Sequence, residues 1–117
     1  MRDDLIFHLT TTGEWKTHQN AGLYEPKTIE EQGFIHCCYG NQVGSIANRY
    51  FKGERDLLLI VIDLASLEAP VKKEEAGDNG EKFPHVYGAI NIDAVIDKIK
   101  LEPDEDGTFE ITFSSSE

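Results

Sequence analysis

The run Leu57-Leu58-Leu59-Ile60-Val61-Ile62 is the most apolar stretch of the chain, and charge closes it on both sides, Asp56 before and Asp63 after. A run this short with no polar face reads as the central strand of a sheet, buried on both sides. Three further runs have strand character, but each carries one imidazole. They are Leu5-Ile6-Phe7-His8-Leu9-Thr10, Gly33-Phe34-Ile35-His36-Cys37-Cys38 and Phe83-Pro84-His85-Val86-Tyr87-Gly88. Imidazole titrates near neutral pH and can donate, accept or bind metal, which makes it an uncommon choice for a core strand. The repetition predicts that the fold gathers the rings at a common place.

Between these runs the local signals are clear. Thr10-Thr11-Thr12 offers a cap for a short helix over Gly13 to Asn20, stopped by Asn20-Ala21-Gly22. His18, on that polar helix, reads as a solvated surface histidine. Leu23 to Pro26 is an extended link, and Thr28 caps a short helix through Gln32, closed by Gly33. Val43, Ile46, Ala47, Tyr50 and Phe51 recur at three- and four-residue spacing, which gives a longer helix over Gln42 to Phe51 one apolar face. Leu64 to Glu68 reads as a turn with a helical fragment, Val71 to Glu75 as a polar edge strand, and Ala76 to Gly80 as an exposed loop. Pro84 places Phe83 to Tyr87 at a sheet edge or a strand start. Ile90 to Val95 reads as a turn, and Val95 to Leu101 and Thr108 to Phe113 as the last strands. Strands and helices do not alternate strictly, so the expected class is α+β with a curved, mostly antiparallel sheet and small helices. Residues 1–103 read as a single α+β domain, with 104–117 supplying an acidic turn, a last strand and a frayed terminus.

Charge narrows the partners. The 117 residues hold 22 acids against 11 bases, a net charge of −11 that repels phosphate backbones, and no basic patch offsets it. Nucleic acid is not expected as a partner. No run approaches the ~20 apolar residues of a membrane helix, and Met1-Arg2-Asp3-Asp4 lacks the positive start of a signal peptide. A cytoplasmic protein without membrane contact is the expectation. Cys37 and Cys38 are adjacent and point to opposite faces of a strand, so they neither bridge nor share a tetrahedral metal readily. Cys38 shares a face with His36 if the strand continues, which leaves a Cys–His nucleophile pair as a minor possibility.

Two-residue periodicity puts His8 with Thr10, Phe34 with His36, and His85 with Tyr87. His8, His36 and His85 are the candidate catalytic groups, because acid–base work suits a ring titrating near neutrality. Thr10, Tyr87 and Arg49 are candidate ligand contacts, Arg49 being placed to anchor an anion. Such a cleft suits a small polar ligand with an aromatic part. A three-histidine zinc centre is the rival, but no H-x-H or H-x-x-x-H pair preorganises two ligands, and no metal is expected. Ser/His/Asp catalysis lacks a G-x-S-x-G, and no glycine-rich phosphate loop is present.

Four segments in this order, Ile6-Phe7-His8-Leu9-Thr10, Gly33-Phe34-Ile35-His36-Cys37, Ala47-Asn48-Arg49-Tyr50-Phe51 and Phe83-Pro84-His85-Val86-Tyr87-Gly88, resemble a bacterial family catalogued as domain of unknown function 952. The resemblance runs from about Ile6 to Leu101 and implies an ADP-ribosyltransferase-like fold, a bent split sheet around an NAD cleft. It implies that His8, followed by Thr10, holds the nicotinamide ribose, and that Tyr50, Phe51 or Tyr87 stacks on nicotinamide. The chain departs from that pattern in having Leu9 where a glycine follows the histidine, and in having no late-strand glutamate. His85 stands in the comparable region, with Glu81 the nearest acid. Three functions follow: a small-molecule binder with NAD or another nucleotide-like ligand, an ADP-ribosyltransferase-type enzyme, and a structural or protein-interaction domain. Oligomeric state is open.

Overall fold

The computed structural model describes residues 4–75 and 80–111. Its elements in chain order are β1 (Leu5–Thr11), α1 (Thr12–Thr17), β2 (Gln19–Asn20), β3 (Leu23–Tyr24), α2 (Thr28–Gln32), β4 (Ile35–His36), α3 (Val43–Tyr50), β5 (Leu57–Asp63), β6 (Val71–Glu75), β7 (Lys82–Val86), β8 (Ile90–Asn91) and β9 (Val95–Leu101). Short 3-10 turns at Gly40–Gln42 and Ile92–Ala94 precede α3 and β9. The described strands form three antiparallel sheets, ordered β1-β5-β9, β2-β3-β8 and β4-β7-β6. This is an α+β fold of small antiparallel sheets, and among the described residues no helix is long and apolar enough to cross a membrane.

The apolar run is the middle strand, as its composition requires. Leu57 to Ile62 are all buried, with β1 on one side and β9 on the other. Alternation divides them between two cores. Leu58, Ile60 and Ile62 join Ile6, Trp15 and Tyr24 on one face. Leu57, Leu59 and Val61 join Phe7, Val43 and Phe109 on the other. Register keeps both sets in phase, with His8 opposite Ile60 and Phe7 opposite Val61.

Several local expectations are corrected. α1 spans Thr12 to Thr17, and Thr11 caps it by accepting from Glu14 N–H at 3.2 Å. α2 starts at Thr28 without a side-chain cap, since the capping position is Lys27. His18 is half-buried rather than fully solvated, and its ring bonds Glu14 at 3.0 Å, one turn back. The segment after Asp63 is a turn without a helix, and residues 76–79 of the expected loop lie outside the described residues. Pro84 does not mark an edge: β7 is the middle strand of its sheet. The proline is tolerated because β4 pairs only at Ile35–Val86 and His36–His85, beyond which the Pro84 carbonyl accepts from Cys37 N–H at 3.2 Å. The expected strand over Thr108 to Phe113 is absent where described, up to Ile111, and residues 112–113 lie outside the described set. Phe109 is instead held by Asn48, whose side chain accepts from its N–H at 2.6 Å and donates to its carbonyl at 3.0 Å.

Candidate functional site

β1 meets the segment just after β4 at one bridge, where Phe7 and Cys38 exchange backbone hydrogen bonds of 2.8 and 2.7 Å. Beside this junction lies a cleft of about 440 Å³. Phe7, Leu9, Phe51 and Phe83 supply apolar wall, and His8, His36, His85 and Arg49 supply the polar groups. Three imidazoles from three separate strands therefore border one cavity. Thr10 and Tyr87 do not line it; each stands behind a histidine as its indirect support.

His85 is the most tightly built of these groups. It sits opposite Lys72 in the β6–β7 ladder, so Glu74, two residues along β6, is its diagonal neighbour on the same face. The ring Nδ1 lies 2.8 Å from Glu74 Oε1, and the Tyr87 hydroxyl donates to the same oxygen at 2.6 Å. These two hydrogen bonds, Tyr87 first, hold the Glu74 carboxyl below its usual range, and the same bond pushes the Tyr87 phenol up. A carboxylate only accepts, so Nδ1 carries a proton toward Glu74. Phe34 stacks on the ring at 4.2 Å and 19°, and His36 stands edge-on at 5.2 Å. His36 directly faces His85 in the β4–β7 ladder. Its Nε2 donates to Gln32 Oε1, one turn back on α2. Although His36 is an exposed residue, desolvation, followed by repulsion from His85, lowers its pKa.

His8 is differently engaged. Its Nδ1 lies 2.7 Å from the His36 carbonyl oxygen and its Nε2 3.2 Å from the Tyr24 hydroxyl. A carbonyl only accepts, so Nδ1–H donates to it and Nε2 accepts from Tyr24. Thr10 Oγ1, 3.4 Å from the phenol oxygen, extends the chain. Burial lowers the His8 pKa to about 4 and raises that of Tyr24 to about 12. His8 is thus a neutral ring that spans the gap between β1 and β4, with both nitrogens committed inside the protein.

Arg49 is exposed on α3, and among the described residues it makes no ion pair. The helix that carries it is fixed at its start by Gln42, whose amide oxygen accepts from Tyr39 N–H at 2.9 Å and whose amide nitrogen donates to the Lys82 carbonyl at 2.9 Å. In a chain with twice as many acids as bases, a guanidinium at a cleft is a local reversal of sign. Cys37 and Cys38 are both buried free thiols, and burial raises Cys37 well above its ordinary value and Cys38 to about 12, which leaves little thiolate for a nucleophile. Among the described residues no three His, Cys, Asp or Glu side chains are grouped to hold a metal.

Sequence reasoning missed Glu74, Tyr24 and Gln32. The signal for Glu74 lay in the hairpin: once His85 pairs with Lys72, a two-residue step on β6 reaches Glu74. Gln32 stands four residues before His36, a spacing visible in the sequence. Tyr24 gives no such signal, since its contact with His8 depends on how β3 packs under β1.

The geometry defines a small α+β protein with a histidine-bordered cleft beside the junction of two antiparallel sheets. The chain belongs to the family described as protein of unknown function, DUF952, whose profile matches residues 9–98. A crystal structure of protein CC0527 from Caulobacter crescentus is similar at a TM-score of 0.78 and 29% identity, over 91% of this chain and 93% of that one. The solution NMR structure of the same bacterial protein gives 0.71 and 27%, over 92% of each chain. No curated protein matches the sequence.

Proposed function

We propose that the cleft binds a small anionic molecule with an aromatic part, of the nucleotide class and with NAD among its members. The observation that carries this reading is the convergence of His8, His36, His85 and Arg49, which makes no ion pair among the described residues, on one cavity walled by aromatic rings. Arg49 is the group to meet phosphate, and Tyr50, Phe51 and Phe83 offer surfaces for a planar ring. The fit to NAD is partial. His8, the residue expected on the ribose, already spends both nitrogens on His36 and Tyr24, which makes it a support for the cleft rather than a ligand contact.

A second reading is an ADP-ribosyltransferase-type enzyme on a fold of that kind. It is favoured by the separation of β1 from the β4-β7-β6 sheet except at the Phe7–Cys38 bridge, with a first-strand histidine beside that split. NMR of the backbone amides, histidine rings and Arg49 guanidinium, with NAD, ADP-ribose, nicotinamide and zinc added in turn, tests both. Binding predicts shifts confined to His36, His85 and Arg49 and their neighbours, with affinity about tenfold weaker in Arg49→Gln. Release of nicotinamide from NAD would favour the transferase. Silence toward all four probes would sink the cleft reading and leave a structural or protein-interaction domain.

A further inference from the structure

His85, which lines the cleft, carries one polar atom left unmatched among the described residues. His85 Nε2 is buried and, among the described residues, has no hydrogen-bond partner, on a residue only 4% exposed that lines the cavity. Buried polar atoms are normally paired, and an unmatched one is a defect that a core seldom tolerates without use. What it needs is fixed by the opposite edge of the ring. Nδ1–H is given to Glu74 at 2.8 Å, so in the neutral ring Nε2 presents a lone pair and accepts. A ring flip that would exchange the two nitrogens is opposed by Phe34 stacked at 4.2 Å and by the loss of the Glu74 bond. The Tyr87 hydroxyl, at 2.6 Å from the same Glu74 oxygen, keeps that carboxylate aimed.

We propose that His85 Nε2 is the acceptor for a sugar hydroxyl of the bound nucleotide, and that Glu74 is the positioning residue that fixes the ring in its accepting tautomer. The inference rests on the nucleotide reading of the cleft and adds the group that the ligand must present: a free hydroxyl, alongside the anion that meets Arg49. A ligand without that hydroxyl leaves the nitrogen unmatched and is discriminated against.

Imidazole nitrogen NMR of the full chain tests it, with ADP and dideoxy-ADP as probes. The free protein is expected to show His85 Nε2 as an unprotonated nitrogen, shifted on addition of ADP. Glu74→Ala should release the ring to the other tautomer, and Glu74→Gln, which keeps an acceptor oxygen, should restore it; a packing role alone would move neither. Dideoxy-ADP should bind about tenfold more weakly than ADP. A protonated Nε2 in the free wild type, which needs no variant to fold, overturns the assignment. So does equal affinity for the two nucleotides at the cleft, and in either case the cleft reading survives. If neither nucleotide perturbs His36, His85 or Arg49, both readings fall together.

Discussion

His8 is buried, where a charge is poorly solvated, and among the described residues its ring makes no bond to a carboxylate. Its pKa falls from 6.5 to about 4, chiefly through burial. Between those values the unfolded chain binds a proton that the folded chain refuses, so stability rises with pH across this window. The contribution is fully present above the unfolded value and is lost as pH falls toward the folded one, to the extent of about 3 kcal/mol. Denaturant unfolding near neutrality and at about pH 4.5 should show this slope, and His8→Gln should remove most of it. An unchanged slope in the variant would assign the effect to other groups. That His8, His36 and His85 would come together was legible, because an imidazole inside an apolar run is visible without any structure. Their division of labour was not. His8 is fixed by Tyr24 and His85 by Glu74, and both partners arrive from strands whose register the local sequence does not reveal.

At Gly33 the chain takes a positive φ of 89°, and its N–H closes α2 by donating to the Ile29 and Thr28 carbonyls. The turn delivers Phe34 and His36 to the cleft directly after the helix. Space around the glycine is open, so a side chain would meet no clash and the cost of one is conformational alone. Gly33→Ala should therefore destabilise by about 1 kcal/mol in urea unfolding, with the cleft resonances little changed. A loss of several kcal/mol would mean that the turn does more than reverse the chain. Elements of this kind were readable where one local rule governs, as with the glycine stop, the apolar β5 and the three- and four-residue spacing of α3. They were misread where pairing governs. Pro84 occupies a middle strand because β4 is too short to demand its missing N–H, and Thr108 to Ile111 lies along Asn48 instead of joining a sheet.

The molecule as a unit is organised by β5, which lends one row of side chains to each of two cores, and by a separate sheet, β4-β7-β6, attached to β1 through the Phe7–Cys38 bridge. Composition foretold the two-sided strand; nothing in it foretold that the sheet would break into three. The junction has a consequence for chemistry that the folded chain itself does not perform. Cys37 and Cys38 lie at this seam, bordering the cleft but buried and protonated, so an alkylating reagent is expected to react mainly when local packing opens. Iodoacetamide labelling under native conditions should run far below the rate of an unfolded control. Labelling as fast as the control would mean that the seam stands open in solution. Two thiols with no chemistry of their own thus serve as a clock, ticking each time that packing opens.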